Sequence, residues 1–564
     1  MIWRKLRQYR HSILALILIL SGLALRLFLV AHNYPSTDSE EGTMGLEALH
    51  IAYKGEHPIY LYGQNYMGVA EAYLGAMMFR LFGVSIFSLR LGMQLLFGLF
   101  FIAIYLLGTL LYGSKVALIS LFLLIGGTDI VLIPEMKAVG GAVETLVCGS
   151  TLMLLSSWLV LRRNNQTAQA AQLRWLYWVA YSAWGVTVGL GLWSHLLVTP
   201  FIFFSALLLV LFCRHDLRTK AGLFLLLGLI VGSLPLISYN VTAPMRENSL
   251  AVFMQLHQTT YSNAPSGMLL WLKQLAGTFF YSLPMATDMF HLANQNVLPL
   301  YSSWESLSLS ITLLYSCWSV GYVALLVSST WLTLRSICKL GLNEWSTQLE
   351  MEKKQRFLLI LSVCRLMLLL TAWLTLISYA TSTTAAVRPW SFRYLVGLLI
   401  SLPAIIAPLI PSKEKVTSVK LKMKTYIRWG TIMLIIAVNV AGTLHNFSSL
   451  SQGNVRIQRQ KELVQRLLQL GITRIYSGYW VCDRIIFQSQ EKIICAALNE
   501  RMQPGLTRYT PYKNVVDHSK NVAYVFTQNS DYHPEQAISA FTKNNQYQQI
   551  HINEYIVFLL TGSR

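Results

Sequence analysis

Charge is scarce along this chain. Only 12% of its 564 residues are Asp, Glu, Lys or Arg, and the 25 acidic residues are outnumbered by 45 basic ones. Soluble domains carry about a quarter charged residues. With 54% hydrophobic residues and a mean hydropathy of +0.47, the deficit excludes an ordinary soluble domain and indicates a polytopic α-helical membrane protein. The formal charge of +20 would suit nucleic acid, but no single basic patch carries it. Lys and Arg recur in short clusters between apolar runs, the pattern of cytoplasmic loops, so membrane lipids are expected as partners and nucleic acid is not. The seven cysteines show no C-x-x-C or Cys/His metal spacing. Cys148, Cys317 and Cys364 lie in apolar segments, and Cys213 and Cys338 at segment ends. Only Cys482 and Cys495 share a polar region, where they would pair if it lies outside the cell. The absence of G-x-G-x-x-G, Walker and H-E-x-x-H patterns leaves nucleotide hydrolysis and zinc proteolysis without support.

Long hydrophobic runs fill the chain instead. The first, Ser12 to Ala31, follows the basic segment MIWRKLRQYRH and is longer than a signal-peptide core, so it reads as an uncleaved span. Ten more follow at 88–111, 115–133, 138–161, 175–193, 196–213, 221–239, 307–334, 357–380, 394–411 and 429–446, about eleven in all. With the N-terminus inside, the inner segments hold 22 Lys and Arg against 7 in the outer loops before residue 447. The positive-inside rule therefore favours a cytoplasmic N-terminus at the plasma membrane and an extracytoplasmic C-terminus. The expected organisation is a transmembrane catalytic domain over 1–446, with outer loops 32–87 and 240–306, and a small extracytoplasmic α/β domain over 447–564. In the latter, a helix at Val455–Leu470 precedes strands at Thr473–Ser477, Lys492–Ala496, Asn521–Thr527 and Tyr555–Leu560, with a helix at Glu535–Phe541.

The densest run of carboxylates before residue 447 is Asp38, Glu40 and Glu41, a few residues after the first span. Residues 38–53 fit an amphipathic helix lying flat on the membrane, with Met44, Ala48, Ile51 and Ala52 at helical spacing. Asp38 and Glu41 fit a variant capping box, which would explain two acids without chemistry. A carboxylate at the outer face also suits a base that takes the proton of an acceptor hydroxyl. A phosphate leaving group would need cations or donors near its developing charge, and Arg388, Arg393, Lys137 and His195 are expected at that face. Gln64 and Tyr66, in a glycine-flanked turn, and Glu144 and Tyr394, near outer junctions, are candidate substrate contacts. Trp480 and Tyr509 could stack on sugar, although core packing is the default for such rings.

The order of these segments resembles a family. A span containing Arg26, an acidic pair, a helix, GEHPIY, YGQNYMG, EAYLGAMMFRLFG and a second span opening with LR are similar to the bacterial lipid-linked-sugar glycosyltransferases of the GT-C class. Those are relatives of the protein O-mannosyltransferases, the lipid A aminoarabinose transferases and the Rgt-type transferases. FRYLVGLLISLP at 392–403 and GLIVGSLPLISYN at 228–240 resemble two further segments of that family, and GITRIYSGYWVCDRIIFQS and RYTPY resemble the outer domain of some members. The resemblance implies an inverting hexosyl- or pentosyltransferase that moves a sugar from a polyprenyl-phosphate donor to a lipid, glycan or protein acceptor. The family's acidic pair is Asp-Glu, whereas here Glu40-Glu41 follows Asp38, so Asp38 and Glu40 stand level as the base, with Glu41 behind them. No metal is expected, with a divalent cation at the D-x-E pair of Asp38 and Glu40 as the alternative. A transporter or flippase of lipid-linked glycans and an inactive GT-C-like scaffold are the competing functions. The ionisable residues in spans, such as Arg26, Arg90, Asp129, Glu144 and Arg365, mostly fall toward span ends, which counts against transport.

Overall fold

The computed structural model describes residues 2–164, 174–260, 266–289, 309–346, 353–388, 391–410, 419–528 and 532–560. From the N-terminus come α1 (Ile2–Ala31), α2 (Ser39–Tyr53), strands β1 (Tyr60–Leu61) and β2 (Gln64–Gly68), and α3 (Ala70–Phe82). Next are α4 (Ile86–Tyr112), α5 (Ser114–Ile125), α6 (Asp129–Met136), α7 (Ala142–Asn164), α8 (Arg174–Ser194), α9 (Thr199–Leu217) and α10 (Lys220–Thr242). They are followed by α11 (Ser249–Thr260), α12 (Gly267–Gly277), α13 (Leu283–Ala286), α14 (Leu309–Ser346), α15 (Lys353–Ala380), α16 (Thr383–Val387) and α17 (Leu402–Ile406). The chain closes with α18 (Val419–Gln469), β3 (Arg474–Gly478), α19 (Tyr479–Gln488), β4 (Ile494–Leu498), α20 (Thr510–Asp517), β5 (Ala523–Thr527), α21 (Glu535–Lys543), β6 (Tyr547–Ile552) and β7 (Tyr555–Leu560). It is a polytopic, largely α-helical membrane protein with a small sheet-containing C-terminal region.

Nine helices among the described residues are long and apolar enough to cross a membrane, two fewer than the eleven spans expected. The run 115–133 is not one span. It breaks between α5 and α6 at Gly126-Gly127, where Gly127 takes a φ of 148°. The freed backbone is satisfied by distant side chains: the Gly127 amide donates to Thr443 Oγ1 at 2.9 Å, and Asn446 donates to the Gly127 carbonyl at 2.9 Å. The Thr128 amide donates to Asp288 at 2.8 Å. Such partners are what allow a helix to break among apolar elements. The second missing span is α8, whose 21 residues include enough tryptophan, tyrosine and glycine to hold its hydropathy down. The segment 394–411 is also not a regular α-helix: a 3₁₀ stretch, Phe392–Ser401, leads into α17 and a further 3₁₀ turn at Ala407–Leu409. Pro403 and Pro408 lack the amide hydrogens that a continuous α-helix would use there.

Contacts divide the chain into two compact units, Met1–Leu25 with Leu96–Glu135 and Gly141–Asn446, and Arg26–Leu95 with Met136–Gly140 and Phe447–Arg564. In the first unit α8 and α10 pack at very short range. Gly185 and Gly189 of α8 face Gly228 and Gly232 of α10, and a Cβ on any of the four would meet the opposing backbone. Small residues four apart on both helices permit this approach.

In the second unit residues 32–87 are grouped with residues 447–564. The helix α2 does not lie flat on a surface. Thirteen of its fifteen residues are buried, from Ser39 and Glu41 through Ala52. It packs on α3 and α19: a Cβ on Gly42 would meet the Asp483–Arg484 backbone at 2.7–2.9 Å, and one on Gly45 would meet the Phe487 ring at 2.7 Å. The five-stranded sheet has the order β4-β3-β5-β7-β6, with the first three parallel and β7 antiparallel to both β5 and β6. The four expected strands are present. β6, α19 and α20 are additional, and the helix expected at 455–470 is the end of the continuous 51-residue α18. Cys482 and Cys495 form a disulfide between α19 and β4.

Candidate functional site

Asp38 is the N-cap of α2. Its backbone is extended, and Oδ1 accepts the Glu41 amide at 3.0 Å. This is the cap half of the capping box, and it satisfies one of the orphan amides of the first turn. The return half is missing, because the Glu41 carboxylate is turned to Arg90. Arg90 Nε and Nη2 donate to Glu41 Oε1 and Oε2, each at 2.7 Å, and both side chains are fully buried. Glu41 is thus a bidentate partner of a buried guanidinium. Glu40 is half-buried in the same first turn.

The second oxygen of Asp38 carries Lys137. The ammonium lies 2.5 Å from Oδ2, with the lysine side chain 8% exposed and that of Asp38 34%. Burial raises the Asp38 pKa, but Lys137, the Glu41 amide and Arg90 together outweigh it and hold the carboxyl below its ordinary value. The segment bearing Lys137 is pinned at its other end, where the Gly140 amide donates to Glu71 Oε2 at 2.9 Å. Gly140 and Gly141 take φ values of 84° and 85°, a conformation that suits glycine. Asp38 is therefore an ionised carboxylate, fixed at both oxygens and reachable from solvent.

Behind α2 lies a buried polar layer. Thr43 donates to Asp483 at 2.6 Å, and Ser39 donates to the Tyr479 carbonyl at 2.5 Å. Burial, only partly opposed by Thr43 and Arg508, raises the Asp483 pKa to about 6. Glu47 is fully buried and accepts the Tyr62 amide at 2.5 Å; burial pushes its carboxyl well above the ordinary value. Arg508 donates to Tyr479 Oη at 2.7 Å. With the Gln64 amide oriented to satisfy both groups, Oε1 accepts Arg508 Nη1 and Nη2 at 3.1 and 3.3 Å. Gln64 is thus engaged by the C-terminal region, and Tyr66 is half-buried two residues along β2. His50 contacts Tyr62 at 2.9 Å and both Glu491 and Tyr512 at 3.2 Å. Trp480 and Tyr509 are half-buried and pack on other aromatic rings, Tyr479 and Tyr62 respectively.

The remaining candidates lie in the first unit. Glu144 Oε2 accepts the Gly141 amide at 3.1 Å. A Cβ on Gly141 would collide with the His195 ring. His195 caps the 3₁₀ turn Leu196–Val198, with Nδ1 accepting the Leu197 amide at 3.2 Å, which leaves the proton on Nε2. Its ring centroid is 6.3 Å from that of Tyr394, and the Arg393 guanidinium lies 5.7 Å from the Tyr394 centroid. Burial, and then Arg393, lower the His195 pKa to about 4, so the imidazole is neutral. Arg388 is exposed at the end of α16.

Glu71 and Arg508 were not among the sequence candidates. An acid opening the apolar run EAYLGAMMF was the available signal for Glu71, and the segment RYTPY, which Arg508 opens, was the signal for Arg508. Among the described residues no three His, Cys, Asp or Glu side chains converge as metal ligands. At the D-x-E pair, Lys137 lies on one Asp38 oxygen and the Glu41 amide on the other.

No protein-family model and no curated protein sequence matches the chain. Among solved structures it is similar to the oligosaccharyltransferase AglB from Archaeoglobus fulgidus in complex with an inhibitory peptide and a dolichol-phosphate. The identity is 12% over 99% of this chain and 75% of that chain, with a TM-score of 0.46. It is also similar to ArnT from Cupriavidus metallidurans bound to undecaprenyl phosphate, at 10% identity over 97% of this chain and 98% of that chain, with a TM-score of 0.45.

Proposed function

We propose that the chain transfers a sugar from a polyprenyl-phosphate donor to an acceptor hydroxyl at the outer membrane face, with inversion. The observation that carries this reading is the fixed, ionised Asp38 carboxylate with Lys137 on its second oxygen, directly after an apolar helix. The segment resemblance to the GT-C transferases and the loop charge bias support it, as does the Cys482–Cys495 disulfide, a bond of oxidising compartments.

In this reaction the acceptor oxygen attacks the anomeric carbon from the side opposite the phosphate, and its proton passes to Asp38. The bond from the anomeric carbon to the phosphate oxygen breaks, and polyprenyl phosphate leaves. No strong acid is required, because the phosphate leaves as an anion and needs only positive charge beside it. Lys137 supplies such a charge next to the base. Arg393, with Arg388, His195 and Tyr394, is the further group proposed for the phosphate, His195 as a neutral Nε2–H donor. Gln64, Tyr66 and Glu144 are carried forward as substrate contacts. Glu41 is assigned to holding Arg90 rather than to proton transfer.

Purified chain incubated with a polyprenyl-phosphate hexose or pentose and an envelope acceptor fraction is expected to release polyprenyl phosphate, read by mass spectrometry. Absence of release with every donor, under conditions where the chain is folded, would overturn the reading.

A further inference from the structure

Arg365, on the membrane-crossing helix α15, has no carboxylate partner among the described residues. Its Nε donates to the Leu111 carbonyl at 2.7 Å, at the C-terminal end of α4, and its guanidinium lies 4.9 Å from the Tyr112 ring centroid. That use of Nε caps α4, but it leaves the positive charge without a counter-ion. A charge among apolar helices is costly unless something compensates it.

Arg365 opens into a cavity of about 540 Å³ in the first unit, within the size range of ligand sites. The same cavity is lined by Lys115, which also forms no ion pair among the described residues, and no Asp or Glu among the described residues lines it. Ser114, Thr333, Ser336 and Ser362 also line it, Thr333 and Ser362 donating to carbonyls of their own helices. Apolar residues line it as well: Val116 and Ile410 belong to a cluster built on Val116, Leu123 and Ile406, and Leu332 is a further lining residue. Two cations and several hydroxyls beside an apolar wall suit an anion attached to a hydrocarbon tail.

We infer that this cavity, at the α4–α5 turn, binds the phosphate headgroup of an anionic phospholipid, held by Lys115 and Arg365 with an acyl chain along Val116, Leu332 and Ile410. The site involves none of the residues proposed for sugar transfer and does not rest on that reading. A zwitterionic headgroup brings its own cation into a cavity that already holds two, so it is disfavoured. A free phosphate would leave the apolar wall without a contact.

The test is native mass spectrometry of the full chain, delipidated in detergent and titrated with phosphatidylglycerol or phosphatidylcholine of the same acyl chains. Phosphatidylglycerol is expected to bind more tightly to the native chain. Lys115→Gln removes one exposed cation and is expected to weaken phosphatidylglycerol about fivefold, with Lys115→Glu weakening it further. Phosphatidylcholine binding should change little in either variant. Arg365→Gln should act in the same direction, while Lys115, being exposed, gives the variant that leaves the α4 cap intact. Equal binding of the two lipids by the native chain, or undiminished phosphatidylglycerol binding by Lys115→Glu, would overturn the assignment. So would displacement of the lipid by millimolar inorganic phosphate, which would show that the tail contributes nothing.

Discussion

The clearest separation between a structural acid and a reacting one is at Glu41. Its carboxylate and the Arg90 guanidinium are both fully buried and share two 2.7 Å charge-assisted hydrogen bonds. Arg90 Nη1 has no acceptor among the described residues, so Glu41 supplies its compensation. Glu41→Leu would leave a buried, uncompensated cation at a cost of about 3–5 kcal/mol. The double variant Glu41→Leu with Arg90→Met removes both charges, and such replacements of buried pairs are neutral or stabilising by about 1–4 kcal/mol. Thermal unfolding of the purified chain, followed by tryptophan fluorescence, should therefore show a large loss for the single variant and recovery in the double one. Turnover per folded molecule should persist in the double variant. A double variant no more stable than the single, or one that is stable but inactive, would refute a purely structural role for Glu41.

Three further outcomes follow from the same unit. Asp483 has a pKa of about 6 when folded against 3.8 as the ordinary value, so folding favours its protonated form. The associated stability is fully present below pH 4 and is lost as pH rises through 6, a difference of about 3 kcal/mol. Asp483→Asn keeps an acceptor for Thr43 and should be more stable than the native chain at pH 7.5, with a flatter pH profile in thermal unfolding; an unchanged profile would contradict the assignment. Lys137→Met removes the main group lowering the Asp38 pKa, so the acid limb of the pH–rate profile should move to higher pH. Cys482 and Cys495 close a short loop across 13 positions, and Cys495→Ser should cost about 3 kcal/mol. A labelling assay that finds both thiols free in the native chain would contradict the pairing.

The local rules read well where the partner was local. The cap of Asp38 on the Glu41 amide was legible because both groups lie within one turn. What the sequence could not show were partners far along the chain. The helix α2 reads as a surface helix because Glu40, Glu41 and Glu47 add polar positions to the apolar spacing of Met44, Ala48, Ile51 and Ala52. In the structure Glu41 meets Arg90, 49 residues away, Glu47 is buried on the Tyr62 amide, and the outer side is covered by α19. Gly42 and Gly45 admit the α19 backbone and the Phe487 ring. Likewise the apolar run 115–133 gave no sign that Asp288, Thr443 and Asn446 would satisfy a break at Gly126-Gly127.

The central claim is that Asp38 is the base. Asp38→Asn preserves the size of the side chain and an acceptor for the Glu41 amide, so the fold should survive. The measurement is the single-turnover rate of polyprenyl phosphate release by Asp38→Asn, Glu40→Gln and the native chain. Removal of a general base costs roughly 10²–10⁴-fold, and that loss is expected for Asp38→Asn with Glu40→Gln staying near the native rate. A native rate in a folded Asp38→Asn variant, or the large loss appearing only in Glu40→Gln, would contradict it.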